Sequence, residues 1–271
     1  MIPKVAFVDV DGGVRIHVQD LGDGPAVVLI SGFGLDHELW DRQVRVLTER
    51  GLRVLCVDQR GHGFSDNPLH GYDVDRLAAD LVAALNQLGV GSATVVGHSF
   101  GGQVAFRAAA TAPELITGLV LVGSNGVRAS RSEDFPFGGP PAPLLEGMVA
   151  AEHADRVGSR YRTLATSFAH EPNPRTVDWL VRCSLRMPSW AAVACYRSLL
   201  LTDLLADIPR VVQPVLQIIG VVDPVHSAKG ARWLQQQLPD ATLVEIPDCG
   251  HYPMLETPDE FEAALLKFVT A

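Results

Sequence analysis

Gly97-His98-Ser99-Phe100-Gly101 decides how this chain is read. Ala93-Thr94-Val95-Val96 runs ahead of it, short, apolar and β-branched. Gly102-Gln103-Val104-Ala105-Phe106-Arg107-Ala108-Ala109-Ala110 follows, with residues that suit a helix. A strand that turns sharply into a helix at Gly-x-Ser-x-Gly exposes the serine Oγ and aims backbone N–H groups at the same point. The pattern alone is weak: three fixed positions at background frequencies near ~7% match by chance in roughly one chain in ten of this length. Its meaning depends on partners for Ser99 elsewhere in the chain.

Working outward, the N-terminal third alternates strands and helices. Lys4–Asp9 and Val14–Asp20 read as strands joined by a tight turn at Asp11-Gly12-Gly13. Ala26–Ile30 and Arg53–Val57 are continuous apolar runs, as expected of strands buried on both faces. A helix is expected over Glu38–Arg50. Another is expected over Asp73–Leu88, where Leu77, Leu81, Ala84, Leu85 and Leu88 share one face and Gly89 ends the run. After the elbow helix comes the strand Leu119–Val122.

From Asn125 to about Pro214 the alternation fails. Phe135-Pro136-Phe137-Gly138-Gly139-Pro140-Pro141-Ala142-Pro143 suits neither a helix nor a central strand. Helical stretches then recur around Leu144–Val157, Arg175–Arg186 and Ala191–Asp203, which marks a helical insertion. The rhythm returns with strand Val215–Ile219, helix Ala228–Leu238 and strand Thr242–Ile246. The last helix is expected to start with Thr257 as N-cap, Pro258 first in the helix and Glu260 at the third position. This succession predicts a mostly parallel sheet covered on both faces.

Composition narrows the partners. The chain has 271 residues, 47% of them hydrophobic and 20% charged, enough for one large packed α/β domain. Its net charge is -9 with no basic run, which argues against nucleic acid. Met1–Asp9 lacks the apolar core of a signal peptide, and no apolar run approaches the ~20 residues of a membrane span. Cys56, Cys183, Cys195 and Cys249 are scattered, as free thiols of a reducing cytoplasm would be. His37-Glu38 lacks a following zinc-spaced histidine, and Gly32-x-Gly34 and Gly61-x-Gly63 lack the third glycine of a dinucleotide fingerprint. Neither a metal nor a cofactor is expected.

A serine hydroxyl is a poor nucleophile at neutral pH, so it needs a base, and the base needs an orienting acid. Sites in open α/β sheets gather at the carboxyl ends of strands. Asp223 follows strand Val215–Ile219, in Gly220-Val221-Val222-Asp223-Pro224. His251 follows strand Thr242–Ile246, in Pro247-Asp248-Cys249-Gly250-His251. Asp248 is the rival acid, closer in sequence to His251 but better read as a solvated turn residue. The order Ser99, Asp223, His251 is that of a nucleophile-elbow hydrolase. Phe100, next after the serine, is expected to supply one backbone N–H to an oxyanion.

On these residues the chain resembles the α/β-hydrolase superfamily over nearly its whole length, in particular small bacterial serine esterases, lactonases and cofactor-free haloperoxidase (perhydrolase)-type members. The matching pieces are Ser31-Gly32-Phe33-Gly34, Asp58-Gln59-Arg60-Gly61-His62-Gly63-Phe64-Ser65, the elbow, Gly220–Pro224 and Gly250-His251. The resemblance implies an eight-stranded, mostly parallel sheet flanked by helices, with the second strand antiparallel. It also implies a helical cap inserted after the sixth strand, so that 1–124 and 215–271 form the core and 125–214 the cap. It assigns the second oxyanion N–H to Phe33. Ser31 departs from the histidine common at that position, which leaves the backbone donor of Phe33 in place.

The function expected is hydrolysis of a small or medium apolar carboxylic ester, lactone or thioester through an acyl-Ser99 intermediate, with a small-molecule acyl substrate as partner. Transfer to peroxide by the same three residues is the alternative. C–C bond hydrolysis, cofactor-free dioxygenation and ligand reception with slow hydrolysis are further ones. Phe137, Met148, Trp179 and Trp190 are the candidate substrate-binding residues: Met148, Trp179 and Trp190 as lining of an acyl pocket, each equally suited to internal packing of the cap, and Phe137, with Phe135, as the edge of a mobile lid, equally suited to a disordered surface loop. Arg60 and His62 are read as shaping their glycine-rich loop.

Overall fold

The computed structural model describes residues 4–270; of the N-terminal reading, Met1–Pro3 lie outside them. Eight strands form one sheet: β1 Lys4–Val10, β2 Val14–Leu21, β3 Ala26–Ile30, β4 Arg53–Val57, β5 Ala93–His98, β6 Ile116–Val122, β7 Val215–Gly220 and β8 Ala241–Ile246. Their order is β1-β2-β4-β3-β5-β6-β7-β8, with β2 antiparallel to both neighbours and the rest parallel. This is the mostly parallel α/β-hydrolase sheet expected.

The helices are α1 Asp41–Thr48, α2 Val74–Gln87, α3 Phe100–Thr111, α4 Pro141–Ala154, α5 Arg156–Ala165, α6 Pro174–Ser184, α7 Ser189–Leu201, α8 Ala228–Gln237, α9 Pro253–Glu256 and α10 Pro258–Val269. Alternate strand residues feed two cores, one on each face of the sheet. Val28, Ile30, Val95, Leu119 and Leu121 join α2 and α3 on one side. Val27, Leu29, Val96, Val120 and Ile218 join α1 and α10 on the other. Both cores reach into the segment between β6 and β7: Ala191, Cys195 and Leu199 of α7 belong to the first, Val177 and Leu180 of α6 to the second.

Several local expectations are corrected. The helix expected over Glu38–Arg50 opens with a 3-10 turn, His37–Trp40, before α1. The Pro/Gly stretch up to Pro143 gives way to α4 already at Pro141, because prolines in a first helical turn forfeit no intrahelical N–H. The stretch expected over Leu144–Val157 breaks at Asp155, whose side chain accepts from Gly158 N at 2.9 Å and starts α5, a helix not foreseen. Thr257 precedes α10 as expected, but its side chain does not cap it; Oγ1 is turned back to Pro253 O. By contrast Asp73 caps α2, accepting from Arg76 N at 2.9 Å.

Parallel register brings strand ends to one edge. Ile30 pairs with Val57 and Gly97, Gly97 with Leu121, Val122 with Ile218, and Gly220 with Ile246. The loops after β3, β5, β6, β7 and β8 therefore open at the same end of the sheet, where functional groups of such sheets collect.

Candidate active site

Ser99 stands between β5 and α3 at φ 53, ψ -119, a backbone conformation that L residues rarely adopt. Small neighbours make the turn feasible. A Cβ on Gly101 would sit 2.6 Å from Ser31 O, and one on Gly97 would run into the Gly101 carbonyl. Ser99 N donates to Val122 O at 2.9 Å, and Ser124 Oγ donates to Ser99 O at 2.8 Å, so the elbow is held from β6 and the loop after it.

His251 and Asp223 converge on this serine. His251 Nε2 lies 2.9 Å from Ser99 Oγ, and His251 Nδ1 lies 2.9 Å from Asp223 Oδ2. Asp223 is fixed in turn, its Oδ1 accepting from Val225 N at 2.7 Å and His226 N at 3.0 Å. Burial works to raise the Asp223 pKa; the charge and hydrogen bond of His251, helped by His226, hold it below the ordinary carboxylate value. The rival Asp248 sits exposed at a turn with φ 51.

The imidazole of His251 is bracketed. His98 Nε2 donates to His251 O at 3.0 Å, with the two rings 4.8 Å apart. His226 stacks on it at 5.7 Å and 15°. Burial pushes the pKa of His226 down to about 4 and that of His98 well below normal, so both are neutral neighbours. His251 N also donates to Ser167 O at 2.9 Å, tying its loop to the segment after α5.

Of the two proposed oxyanion donors, Phe100 adjoins Ser99 in sequence, and Phe33 lines the same cavity as Ser99. Among the described residues, neither Phe33 N nor Phe100 N donates a hydrogen bond. The loop carrying Phe33 comes close because Gly32 has no side chain: a Cβ there would lie 2.8 Å from Ser99 Cβ. Ser31, at the departing position, turns its hydroxyl to Asp36 O at 2.7 Å.

A cavity of about 80 Å³ opens onto Ser99, His251 and Phe33. Met148 lines it. Phe137, Trp179 and Trp190 do not: Phe137 packs against Phe135 and Trp233, Trp179 donates to Glu38 Oε2 in a separate crevice, and Trp190 is half exposed with its ring N–H toward Pro68 O. The sequence reading passed over Arg160, Ser184 and Tyr252, which do line the cavity. Arg160 stands in the unforeseen α5, so no pattern pointed to it.

Among the described residues, two clusters hold metal-ligating atoms within 4.8 Å of one another, His17–His37–Asp58 and Asp36–Glu38–Cys183. Both are internally engaged. Asp58 accepts from both imidazoles and from Phe64 N, and Arg186 pairs with Asp36 and Glu38. Arg60, expected to shape its loop, is buried and held by Asp80 through Nε at 2.7 Å and Nη2 at 3.0 Å.

Sheet topology, elbow and converging strand-end loops define an α/β-hydrolase. A sequence pattern for the alpha/beta hydrolase fold matches residues 25–258, and the chain belongs to that family of enzymes. The chain is similar to a pimeloyl-[acyl-carrier protein] methyl ester esterase of Nitrosomonas europaea, 37% identical over 253 residues that cover 91% of this chain and 96% of the relative. It is also similar to 3-oxoadipate enol-lactonase 2 of Acinetobacter baylyi, 26% identical over 90% of this chain and 88% of that protein. Among solved structures, a bromoperoxidase from Bacillus anthracis superposes with a TM-score of 0.94 at 26% identity, covering 99% of this chain and 100% of that one. No helix among the described residues is long and apolar enough to cross a membrane.

Proposed function

We propose that this protein hydrolyses a carboxylic ester or lactone with a short acyl group, through an acyl-Ser99 intermediate. The observation that carries this reading is the unbroken chain Ser99 Oγ, His251, Asp223, with both links at 2.9 Å. His251 Nε2 takes the Ser99 proton as Oγ bonds to the acyl carbon. The carbonyl oxygen becomes an oxyanion and is held by the N–H groups of Phe33 and Phe100. Asp223 keeps the Nδ1–H tautomer and stabilises the imidazolium. Collapse breaks the bond to the leaving oxygen, which receives the proton from Nε2. Water, deprotonated by His251, then attacks the acyl carbon, and the carboxylic acid leaves as Ser99 regains its proton.

Residues 125–214 act as a cap over a core of 1–124 and 215–271 in this reading. Support comes from Met148, Arg160 and Ser184, all of that segment, standing in the wall of the cavity that opens onto Ser99. About 80 Å³ is small beside the ~300–1,000 Å³ usual for ligand pockets, which favours a short acyl group over the medium-length one also expected.

The test is a graded series of ester and lactone substrates, run with Ser99→Ala. Burst release from a chromogenic ester and an acyl mass adduct on Ser99 are expected. An unchanged rate in Ser99→Ala would sink the reading. A second reading, peroxide as acyl acceptor, is favoured by the bromoperoxidase superposition and the small cavity. Acetate with peroxide would then give peracetate, which oxidises added bromide and returns to acetate; failure to oxidise bromide leaves water as the acceptor.

A further inference from the structure

The acyl cavity has mostly apolar walls, among them Phe33, Met148, Leu164 and Leu199, yet Arg160 lines it too. It is the one side chain in that lining whose charge is permanent. Arg160 is only 2% exposed, and its guanidinium lies 5.2 Å from the centre of the Phe33 ring. Phe33 is also the residue whose backbone N–H is proposed to hold the oxyanion. Cation, aromatic face and proposed oxyanion donor therefore stand in sequence along one wall.

The guanidinium is firmly placed. Nε and Nη2 donate to the two oxygens of Glu152 at 2.8 and 2.9 Å, and Nη1 donates to Ser184 O at 2.6 Å. Those bonds use three of its five N–H groups. Tyr196 lies beside the same cation. A guanidinium with a single carboxylate would present no net charge, but Glu152 is shared. Arg156 Nε approaches it at 3.7 Å, and Ser189 Oγ donates to it at 2.9 Å. Two cations share this one carboxylate, so the charge that Arg160 brings to the cavity wall is incompletely offset. A hydrocarbon tail gains nothing from that, whereas an anionic tail does.

We propose that Arg160 selects the substrate, and that the acyl group transferred to Ser99 ends in a carboxylate, as in a half-ester of a short dicarboxylic acid. This rests on the reading of Ser99 as nucleophile. The carboxylate takes a remaining guanidinium N–H group while the ester carbonyl occupies the Phe33 and Phe100 donors, and the span between the two sets the acyl length.

The experiment compares kcat/KM for monoethyl succinate and ethyl butyrate, followed by acid release in a pH-stat. The ratio of two esters on one sample is independent of the active fraction. The wild type is expected to favour monoethyl succinate by about tenfold or more. Glu152→Gln keeps an oxygen for the guanidinium but removes the opposing charge, so the ratio should rise several-fold. Arg160→Met should bring it to one or below, and Arg160→Lys should retain part of it. Succinate should inhibit the wild type more strongly than butyrate, a readout that needs no variant. A wild-type preference for ethyl butyrate, or a ratio that Glu152→Gln leaves unchanged or lowers, overturns the proposal. Loss of both hydrolyses in Ser99→Ala together with a butyrate preference rejects the carboxylate selection alone; cleavage that persists in Ser99→Ala rejects the nucleophile reading itself.

Discussion

His98, the residue immediately before Ser99, donates from Nε2 to the main-chain carbonyl of His251 at 3.0 Å, so the elbow itself holds the loop that carries the proposed base. In this tautomer His98 Nδ1 is a buried acceptor without a partner, and the neutral ring has no second role in hydrogen bonding. His98 is therefore a positioning residue. His98→Leu should lower kcat by about 100-fold with little change in KM, because a base displaced by ~1 Å loses its alignment before substrate binding suffers. His98→Gln, which carries an N–H donor at similar reach, should recover part of the loss. Steady-state kinetics of the two variants decide this; wild-type kcat in His98→Leu would remove the role.

Asp223 and Asp248 both flank the histidine loop, but only Asp223 Oδ2 meets His251 Nδ1, at 2.9 Å. Asp223→Asn would present an amide N–H or a weaker acceptor to that nitrogen and favour the wrong tautomer. The expected fall in kcat/KM is about 10³–10⁴-fold. Asp248→Asn, on an exposed turn, should stay within about twofold of the wild type. The pair separates the two acids on one assay, and a large loss in Asp248→Asn would reverse their assignment.

Ser99 at φ 53 is held in a strained backbone by Val122 O and Ser124 Oγ. Such residues cost of order 1–3 kcal/mol, a strain that glycine does not share. Ser99→Gly should thus be more stable than Ser99→Ala by about 1 kcal/mol, and both should be inactive on esters. Urea denaturation of the two inactive variants measures the difference. Equal midpoints would mean that the elbow is not under strain.

The sheet was legible because its signals are local. Ala26–Ile30 and Arg53–Val57 read as doubly buried strands, and they are, with apolar side chains feeding both cores. The glycines around Ser99 likewise report a close approach of backbone that any side chain would block. The cavity wall was not legible in the same way. Trp179 and Phe137 have the chemistry of pocket residues, but which neighbour a side chain meets depends on how the chain between β6 and β7 lies on the rest of the fold, and no periodicity records that. Arg160 carries a charge, so its sequence pattern alone suits a solvated helix face. Only the folded chain sets it beside Phe33 and pairs it with Glu152. Thr257 failed as a cap for a related reason: α9 ends just before it, and its hydroxyl is already committed to Pro253 O.

Burial of three imidazoles gives the protein an acid-sensitive stability. Burial pushes His62 and His226 down to about 4 and His98 well below normal, whereas a histidine in the unfolded chain titrates near 6.5. The unfolded chain therefore binds these protons first as pH falls. Their contribution to stability is complete above about pH 6.5 and is lost progressively as pH falls toward about 4. For His62 and His226 the gap between 6.5 and 4 corresponds to about 3 kcal/mol apiece. His226 is the ring to replace, because neither of its nitrogens has a partner and it stacks on His251 through its face alone. His226→Phe keeps a flat ring in that place and removes both the titration and two unpaired polar atoms. Urea unfolding at pH 7, 6, 5 and 4.5 should show a shallower loss of stability for His226→Phe than for the wild type. The advantage should widen as pH falls and reach about 1–3 kcal/mol near pH 5. Parallel curves over that range would mean that His226 is protonated as easily in the folded protein as in the unfolded chain, and that its burial beside His251 is not what the stacking geometry indicates.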